Sequence, residues 1–307
     1  MNLITQPASP LIGRIDLPGD KSISHRAALF GALAKGESSF ENYLLAGVTQ
    51  TMLQALKALG AEWELHQQRL TINGNEFHNW YTPETPIDCR NSGTTMRLLA
   101  GALSATGTAA ELDGSPGLRR RPMNRIVKPL QMMAVPITAS PDGLAPLRLK
   151  ARPSYQSLRG IDYAMPVASA QVKTAILLAA LKADSTTIIR EPGPSRDHTE
   201  RILTSMGAKI YSDHNNHEFV VSISPLSQKS LSAIHMNIPG DFSSAAFLMV
   251  AALISPGSEI RLHNVGLNPT RTGLHDVLFA IGAEIEITNL VEHHGEPAAD
   301  LTIRHSQ

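Results

Sequence analysis

The stretch Leu17-Pro18-Gly19-Asp20-Lys21-Ser22-Ile23-Ser24-His25-Arg26 leads straight into an apolar run over residues 27–34. Pro18-Gly19 breaks the strand-like Arg14-Ile15-Asp16-Leu17, so a strand, a turn and a helix are expected in that order. The start of a helix carries unpaired N–H groups and partial positive charge, and Lys21 and Arg26 beside it make an anion site. Taken alone, such a Lys-Ser pair more often marks a solvated helix start with a Ser cap. What raises the anion reading is that the module recurs.

After the helix over 27–34 and a strand-like 38–43 comes a second helix at about 49–59, ended by Gly60, then strands near 61–65 and 69–72. The same order returns from Asn91-Ser92-Gly93-Thr94-Thr95-Met96-Arg97 to a helix ending at Met133-Ala134. It returns from Ser169-Ala170-Gln171-Val172-Lys173 to Gly207-Ala208, and from Pro239-Gly240-Asp241-Phe242-Ser243-Ser244 to Gly282-Ala283. The helix-ending alanines, at 61, 134, 208 and 283, step by 73, 74 and 75 residues. Each unit reads strand–helix–strand–helix–strand–strand, an α/β pattern. Each opens its first helix with hydroxyls or Asn: Ser22 and Ser24, Asn91 and Thr94, Ser169, Ser243 and Ser244. Those helices are dominated by Leu, Ala, Met and Phe and must pack together. Stacked about a common axis, their N-termini converge on one cleft, which suits a ligand with more than one anionic group.

The 307 residues are 42% hydrophobic and 18% charged, enough for two domains, and 27 Lys+Arg balance 27 Asp+Glu. That balance argues against a general nucleic-acid or membrane-surface binder. The one cysteine, Cys89, excludes an internal disulfide framework and reads as a small buried residue at a strand end. The first residues lack the regions of a signal peptide, and no apolar run is long enough for a membrane span, so a soluble cytoplasmic protein is expected. His25 and His198 read as hydrogen-bonding residues; no spacing marks a metal site and no Gly-rich nucleotide loop appears, so neither metal nor cofactor is expected.

The cations cluster in the first three units: Lys21, Arg26, Arg97, Arg119, Arg120, Arg121, Arg125, Lys128, Lys173 and Arg196. The turn-rich Gly114-Ser115-Pro116-Gly117 can aim Arg119-Arg120-Arg121 inward or leave a solvated basic loop. In Ser195-Arg196-Asp197-His198-Thr199-Glu200, Ser195 or Asp197 serves either as a helix cap or as a ligand contact.

Together, residues 18–26, Asn91-Ser92-Gly93-Thr94-Thr95-Met96-Arg97, Arg121-Pro122-Met123, Ser169-Ala170-Gln171 and Ser195-Arg196-Asp197 resemble the 5-enolpyruvylshikimate-3-phosphate synthase family, in order and spacing over essentially the whole chain. The resemblance implies inside-out α/β barrel-like domains, each of three units about a pseudo-threefold axis, with the active site in the cleft between two such domains. Here 21–238 would form the complete three-unit domain, and 1–20 with 239–307 one third of the second. The implied reaction transfers the enolpyruvyl group of phosphoenolpyruvate to the 5-hydroxyl of shikimate 3-phosphate and releases phosphate, by addition and elimination with a general acid–base pair. By motif, Lys21 would touch both substrates at the reacting centre. Shikimate 3-phosphate would be held by Lys21, Ser22, Arg26, Ser169, Gln171, Ser195 and Arg196, and phosphoenolpyruvate by Lys21, Gly93, Arg121 and Gln171.

Two departures stand out. The acidic pair usual before the second helix is absent from residues 45–50, where Thr49 is expected to cap instead. The family has six units and the sequence carries four, so its catalytic Asp and Glu have no counterpart among these residues. Two alternatives follow. One is a non-catalytic half that holds shikimate 3-phosphate and is completed by a C-terminal fragment. The other is the related UDP-N-acetylglucosamine enolpyruvyl transferase, disfavoured by the pattern over 18–26 and 91–97.

Overall fold

Four units form, and two of them exchange a strand. The computed structural model describes residues 10–77, 80–153, 156–213, 219–227 and 230–306. Strand β1 (Ile12–Asp16) precedes a first unit of α1 (Lys21–Leu33), β2 (Ala34–Glu41), α2 (Gly47–Ala58), β3 (Glu62–His66) and β4 (Arg69–Asn75). The second comprises β5 (Ile87–Asp88), α3 (Gly93–Thr106), β6 (Ala110–Asp113), the short α4 (Pro116–Arg119), α5 (Asn124–Met132), β7 (Ile137–Thr138) and β8 (Leu147–Leu149). The third holds β9 (Asp162–Ala164), α6 (Ala170–Ala180), β10 (Thr187–Glu191), α7 (His198–Ser205), β11 (Ile210–Asp213) and β12 (Phe219–Ile223). After β13 (Leu231–Ser232) and β14 (His235–Asn237), the fourth has α8 (Phe242–Ile254), β15 (Glu259–Gly266), α9 (Gly273–Ala280), β16 (Ile285–His293) and β17 (Glu296–Arg304).

In every sheet a leading strand lies parallel to the strand after the first helix, and an antiparallel pair completes the layer, as in β5-β6-β8-β7 and β9-β10-β12-β11. In the first unit the leading strands are β13 and β14, which pair with β2; in the fourth it is β1, which pairs with β15 from Ile12↔Glu259 to Asp16↔His263. The chain therefore crosses twice between the first and fourth units. The two crossings touch: Gly19 bridges Gly240, the Asp20 amide donates to Pro239 O at 2.8 Å, and the Asp241 amide to Pro18 O at 3.0 Å. A Cβ on Gly19 would sit 1.9 Å from Asn42 O, so only glycine passes there.

Helix α1 begins at Lys21, earlier than its apolar run, because Asp20 rather than a serine caps it, accepting from the Ser22 amide at 2.7 Å and the Ile23 amide at 2.9 Å. Ser92, Ser169 and Asp241 cap α3, α6 and α8. Every α1 residue after Lys21 is buried, and α3 meets α6 so closely that a Cβ on Gly101 would lie 2.6 Å from the Ala175 Cα. One apolar core runs through the first three units, from Ile23 to Ile238. A second joins Leu17 to residues from Phe242 to Ile303. In α8 only one side is covered; Phe247 is 81% and Ile254 72% exposed.

The second helices end alike, with Gly60, Ala134, Gly207 and Gly282 at positive φ (88°, 65°, 97° and 86°). The following residues, Ala61, Val135, Ala208 and Ala283, donate back to the carbonyls of Leu56, Leu130, Leu203 and Leu278. Ala134 is thus the counterpart of Gly60, not of Ala61, and the alanine count slips by one residue in the second unit. Helix α2 starts at Gly47, and Thr49 sits inside its first turn. There its hydroxyl accepts from the Ala46 amide at 3.1 Å and donates to Leu44 O at 2.6 Å, so it braces the turn without being the cap.

Candidate active site

A cavity of about 1020 Å³ opens between α6 and α7 of the third unit and residues 269–274 of the fourth. Ser169, Gln171, Ser195 and Arg196 line it, four of the residues singled out by motif. The α6 cap delivers Ser169, and the loop before α7 delivers Ser195 and Arg196. Arg196 reaches across to donate to Ser22 Oγ at 3.3 Å, which brings the start of α1 to the same place. Burial, and then the nearby Arg271, lower the pKa of Arg196. The Ser195 hydroxyl is buried with no partner among the described residues, free to meet a ligand. Asp197 stands at the α7 cap position, yet its carboxylate makes no capping bond and takes Arg201 Nε at 2.8 Å instead.

The cavity floor is ionic. Lys173 Nζ lies 2.6 Å from Glu191 Oε2 and 2.6 Å from Glu200 Oε1, all three side chains buried. Burial raises the Glu200 pKa against the pull of Lys173; Lys173, although burial opposes its charge, is raised by Glu200 and Glu191. Arg26 lies behind this floor. Its Nε donates to Thr199 Oγ1 at 2.7 Å, Nη1 to Ser22 O at 2.9 Å and Nη2 to Thr174 Oγ1 at 2.9 Å, and burial pulls its pKa down to about 10. This guanidinium, expected to touch ligand, ties α1, α6 and α7 together.

A second cationic focus surrounds Gly93 at the start of α3. A Cβ there would meet Arg97 Nη1 at 2.9 Å and Arg121 Nη1 at 3.1 Å, so glycine keeps open a space faced by two guanidiniums and a helix N-terminus. Burial, then Arg125 and Arg121, pull the Arg97 pKa down to about 10. Gln171 joins the two foci, accepting from Arg97 Nη1 at 2.6 Å and donating to Thr94 Oγ1 at 2.8 Å. Of the Arg triplet, Arg121 turns to Asn91 Oδ1 (3.4 Å), while Arg119 pairs with Asp113. Lys21 does not line the cavity. It opens α1 with its amide on Asp241 Oδ2 (3.3 Å), and its exposed ammonium has no partner among the described residues.

His25 and His198 are structural. His25 Nδ1 donates to Lys21 O at 2.8 Å, and burial drives its pKa down to about 4. His198 Nδ1 is 2.8 Å from Glu296 Oε1. Cys89 is buried after β5, its thiol pushed up by burial and so inert. Among the described residues no three His, Cys, Asp or Glu side chains are grouped to hold a metal ion.

Two cationic foci, each at the start of a capped helix, are thus bridged by Gln171. The sequence pattern of EPSP synthase (3-phosphoshikimate 1-carboxyvinyltransferase) matches residues 5–306. The chain belongs to that family. It is 44% identical over 304 residues to the 3-phosphoshikimate 1-carboxyvinyltransferase of Acidithiobacillus ferrooxidans, covering 99% of this chain and 68% of that protein. With the enzyme of the same name from Desulfitobacterium hafniense it shares 43% over 302 residues, covering 98% and 67%. An EPSP synthase structure from Acinetobacter baumannii superposes with a TM-score of 0.89 at 38% identity, over 98% of this chain and 66% of that one. The family is one of transferases of the shikimate route to aromatic amino acids, its fold is α/β, and this chain spans about two thirds of the length of these relatives. Among the described residues no helix is long and apolar enough to cross a membrane.

Sequence reading passed over Arg271, which lines the cavity near Arg196, and the buried Asn268 of the same loop. The repeated Pro18-Gly19-Asp20 and Pro239-Gly240-Asp241 mark the two aspartates in the sequence, but nothing there marks Arg271 as the cation that joins them.

Proposed function

We propose that this chain forms the shikimate 3-phosphate side and part of the phosphoenolpyruvate side of an enolpyruvyl transferase. Shikimate 3-phosphate occupies the cavity, its phosphate and hydroxyls on Ser169, Ser195, Arg196 and Ser22, with Gln171 between the substrates. Phosphoenolpyruvate presents its phosphate to Arg121 over Gly93, and Lys21 reaches in from the start of α1. The 5-hydroxyl then adds to C2 as the methylene is protonated, and phosphate leaves as that carbon loses a proton. The observation that carries this reading is the open space at Gly93, flanked by Arg97 and Arg121 and linked through Gln171 to the cavity. The relatives' names favour the shikimate substrate over a UDP-sugar.

Residues 21–238 are read as one domain and 1–20 with 239–307 as part of a second. The carboxylates lining the cavity are already bonded to cations: Glu191 and Glu200 to Lys173, Asp197 to Arg201. The acid–base pair is therefore assigned to polypeptide beyond these residues, a C-terminal segment that packs on the open side of α8. Calorimetry tests the binding half. Shikimate 3-phosphate should bind, and Lys21→Ala or Arg196→Ala should each weaken it by on the order of 1.5–3 kcal/mol, the worth of a charge-assisted contact. Equal affinity for all three proteins would overturn the assignment. Phosphate release from both substrates should be negligible with the 307 residues alone and appear when the C-terminal segment is supplied.

A further inference from the structure

The loop Asn268-Pro269-Thr270-Arg271, between β15 and α9, touches both segments of the first three units that carry the substrate-facing side chains. At one end, Asn268 is buried, and its Nδ2 donates to Asp197 Oδ1 at 2.7 Å and to Glu296 Oε2 at 3.0 Å. Those two carboxylates in turn hold the start of α7, Asp197 through Arg201 Nε and Glu296 through His198 Nδ1. Arg201 Nη1 also donates to Gly295 O at 2.6 Å, so the β16–β17 hairpin grips the same turn. This is the turn that follows Ser195 and Arg196.

At the other end, Arg271 is nearly buried and forks between the two crossings. Its Nη1 lies 3.4 Å from Asp20 Oδ2, and its Nη2 donates to Asp241 Oδ1 at 3.1 Å and Ser243 Oγ at 2.6 Å. Asp20 holds the amides of Ser22 and Ile23, and Asp241 the amide of Lys21, so the first turn of α1 hangs from the carboxylates that Arg271 joins. The loop itself is stiff: Asn268 Oδ1 accepts from the Thr270 amide at 2.9 Å and hydroxyl at 2.6 Å, and the Arg271 amide donates to Asn268 O at 2.8 Å. A guanidinium suits this post because its planar fork addresses two carboxylates at once, which an ammonium does as a single point charge.

We infer that Asn268 and Arg271 are positioning residues that clasp the Lys21–Ser22 turn to the Ser195–Arg196 turn. The clasp sets the distance between the lysine that reaches the reacting centre and the arginine that holds the phosphorylated substrate. It belongs to the fourth unit while both turns belong to the first three, so it makes the geometry of the first substrate's site depend on how the fourth unit is seated. The inference rests on the substrate reading given above for the cavity, but its geometric content stands apart from it.

The test uses the 307-residue chain and the variants Arg271→Gln, Arg271→Lys and Asn268→Ala. Hydrogen exchange without ligand should show faster exchange at Ser22 and Ile23 in Arg271→Gln and at Arg201 in Asn268→Ala, with α3 protected as in the wild type. Shikimate 3-phosphate affinity should fall about tenfold in Arg271→Gln and Asn268→Ala, with Arg271→Lys recovering part of the loss. A control, Leu278→Ala, removes a side chain of the fourth unit's core that makes none of the clasp's hydrogen bonds or ion pairs; it should lower the unfolding temperature and leave affinity unchanged. Unchanged exchange at both turns in both variants would overturn the clasp, whether or not the ligand binds. Loosened turns with undiminished affinity would overturn its role in positioning. Failure of the wild type to bind shikimate 3-phosphate would instead overturn the substrate reading, and exchange alone would then decide the clasp.

Discussion

At the scale of single residues, the site is built from side chains whose charge state burial has fixed. His25 is the clearest case. Its folded pKa of about 4 lies below the ordinary 6.5, with burial the largest cause, so the fold favours the neutral ring, which donates through Nδ1 to Lys21 O. The sign follows from proton uptake. Between these two values the unfolded chain binds the proton and the folded one does not, so acid favours unfolding. The contribution is complete above pH 6.5 and is lost as the pH falls to about 4, up to about 3 kcal/mol for a shift of this size. His25→Gln keeps a donor and removes the titration. Its denaturant midpoint should fall less steeply than the wild type's between pH 6.5 and 4, and parallel profiles for the two proteins would show that His25 is not the group responsible.

At the scale of elements, the ionic floor of the cavity stitches α6 to β10 and α7, with one lysine serving two carboxylates. Removing it leaves two buried like charges. Lys173→Met should therefore lose about 3–5 kcal/mol in denaturant titrations, whereas adding Glu191→Gln and Glu200→Gln should recover most of that. A single variant as stable as the wild type would mean that the carboxylates find other partners or water. The elements themselves were largely legible in the sequence, because helix caps and helix ends are local chemistry: Ser169 caps α6 as a hydroxyl does, Ser92 caps α3 between the Asn91 and Thr94 expected there, and Gly60, Gly207 and Gly282 take the left-handed turn that ends a helix. What failed locally failed for a reason. Ala134 adopts that turn without being glycine, which displaced the repeat count by one residue, and Asp20 lengthened α1 past its apolar run. What could not be read was partnership between separate segments of the chain. That β1 lies beside β15, that Arg26 meets Thr174 and Thr199, and that Arg271 joins two aspartates depend on how distant segments meet in the fold, which leaves no periodic mark.

At the scale of the whole molecule, burial is divided unequally between the units. Helices α1, α3 and α6 bury nearly every residue because each finds the others, whereas α8, equally apolar, finds a partner on one side only. The open side carries Phe247 and Ile254, and the same unit exposes Phe279 (69%), Ile281 (72%) and Leu290 (69%). Each large apolar side chain left in water forgoes roughly 1.5–3 kcal/mol that burial would contribute. The fourth unit should therefore be the least stable part of the chain, opening below the free energy of global unfolding. Amides over 242–254 should exchange faster than those over 93–106 and 170–180, and the chain should self-associate as its concentration rises. Phe247→Glu with Ile254→Lys should suppress that association without altering exchange in α3, since neither side chain belongs to either core. A C-terminal segment that packs on this side should slow exchange in α8 and block association together, because both arise from the same uncovered surface. Protection in α8 equal to that in α3, in a protein that sedimentation shows to be monomeric, would refute the argument from exposed area.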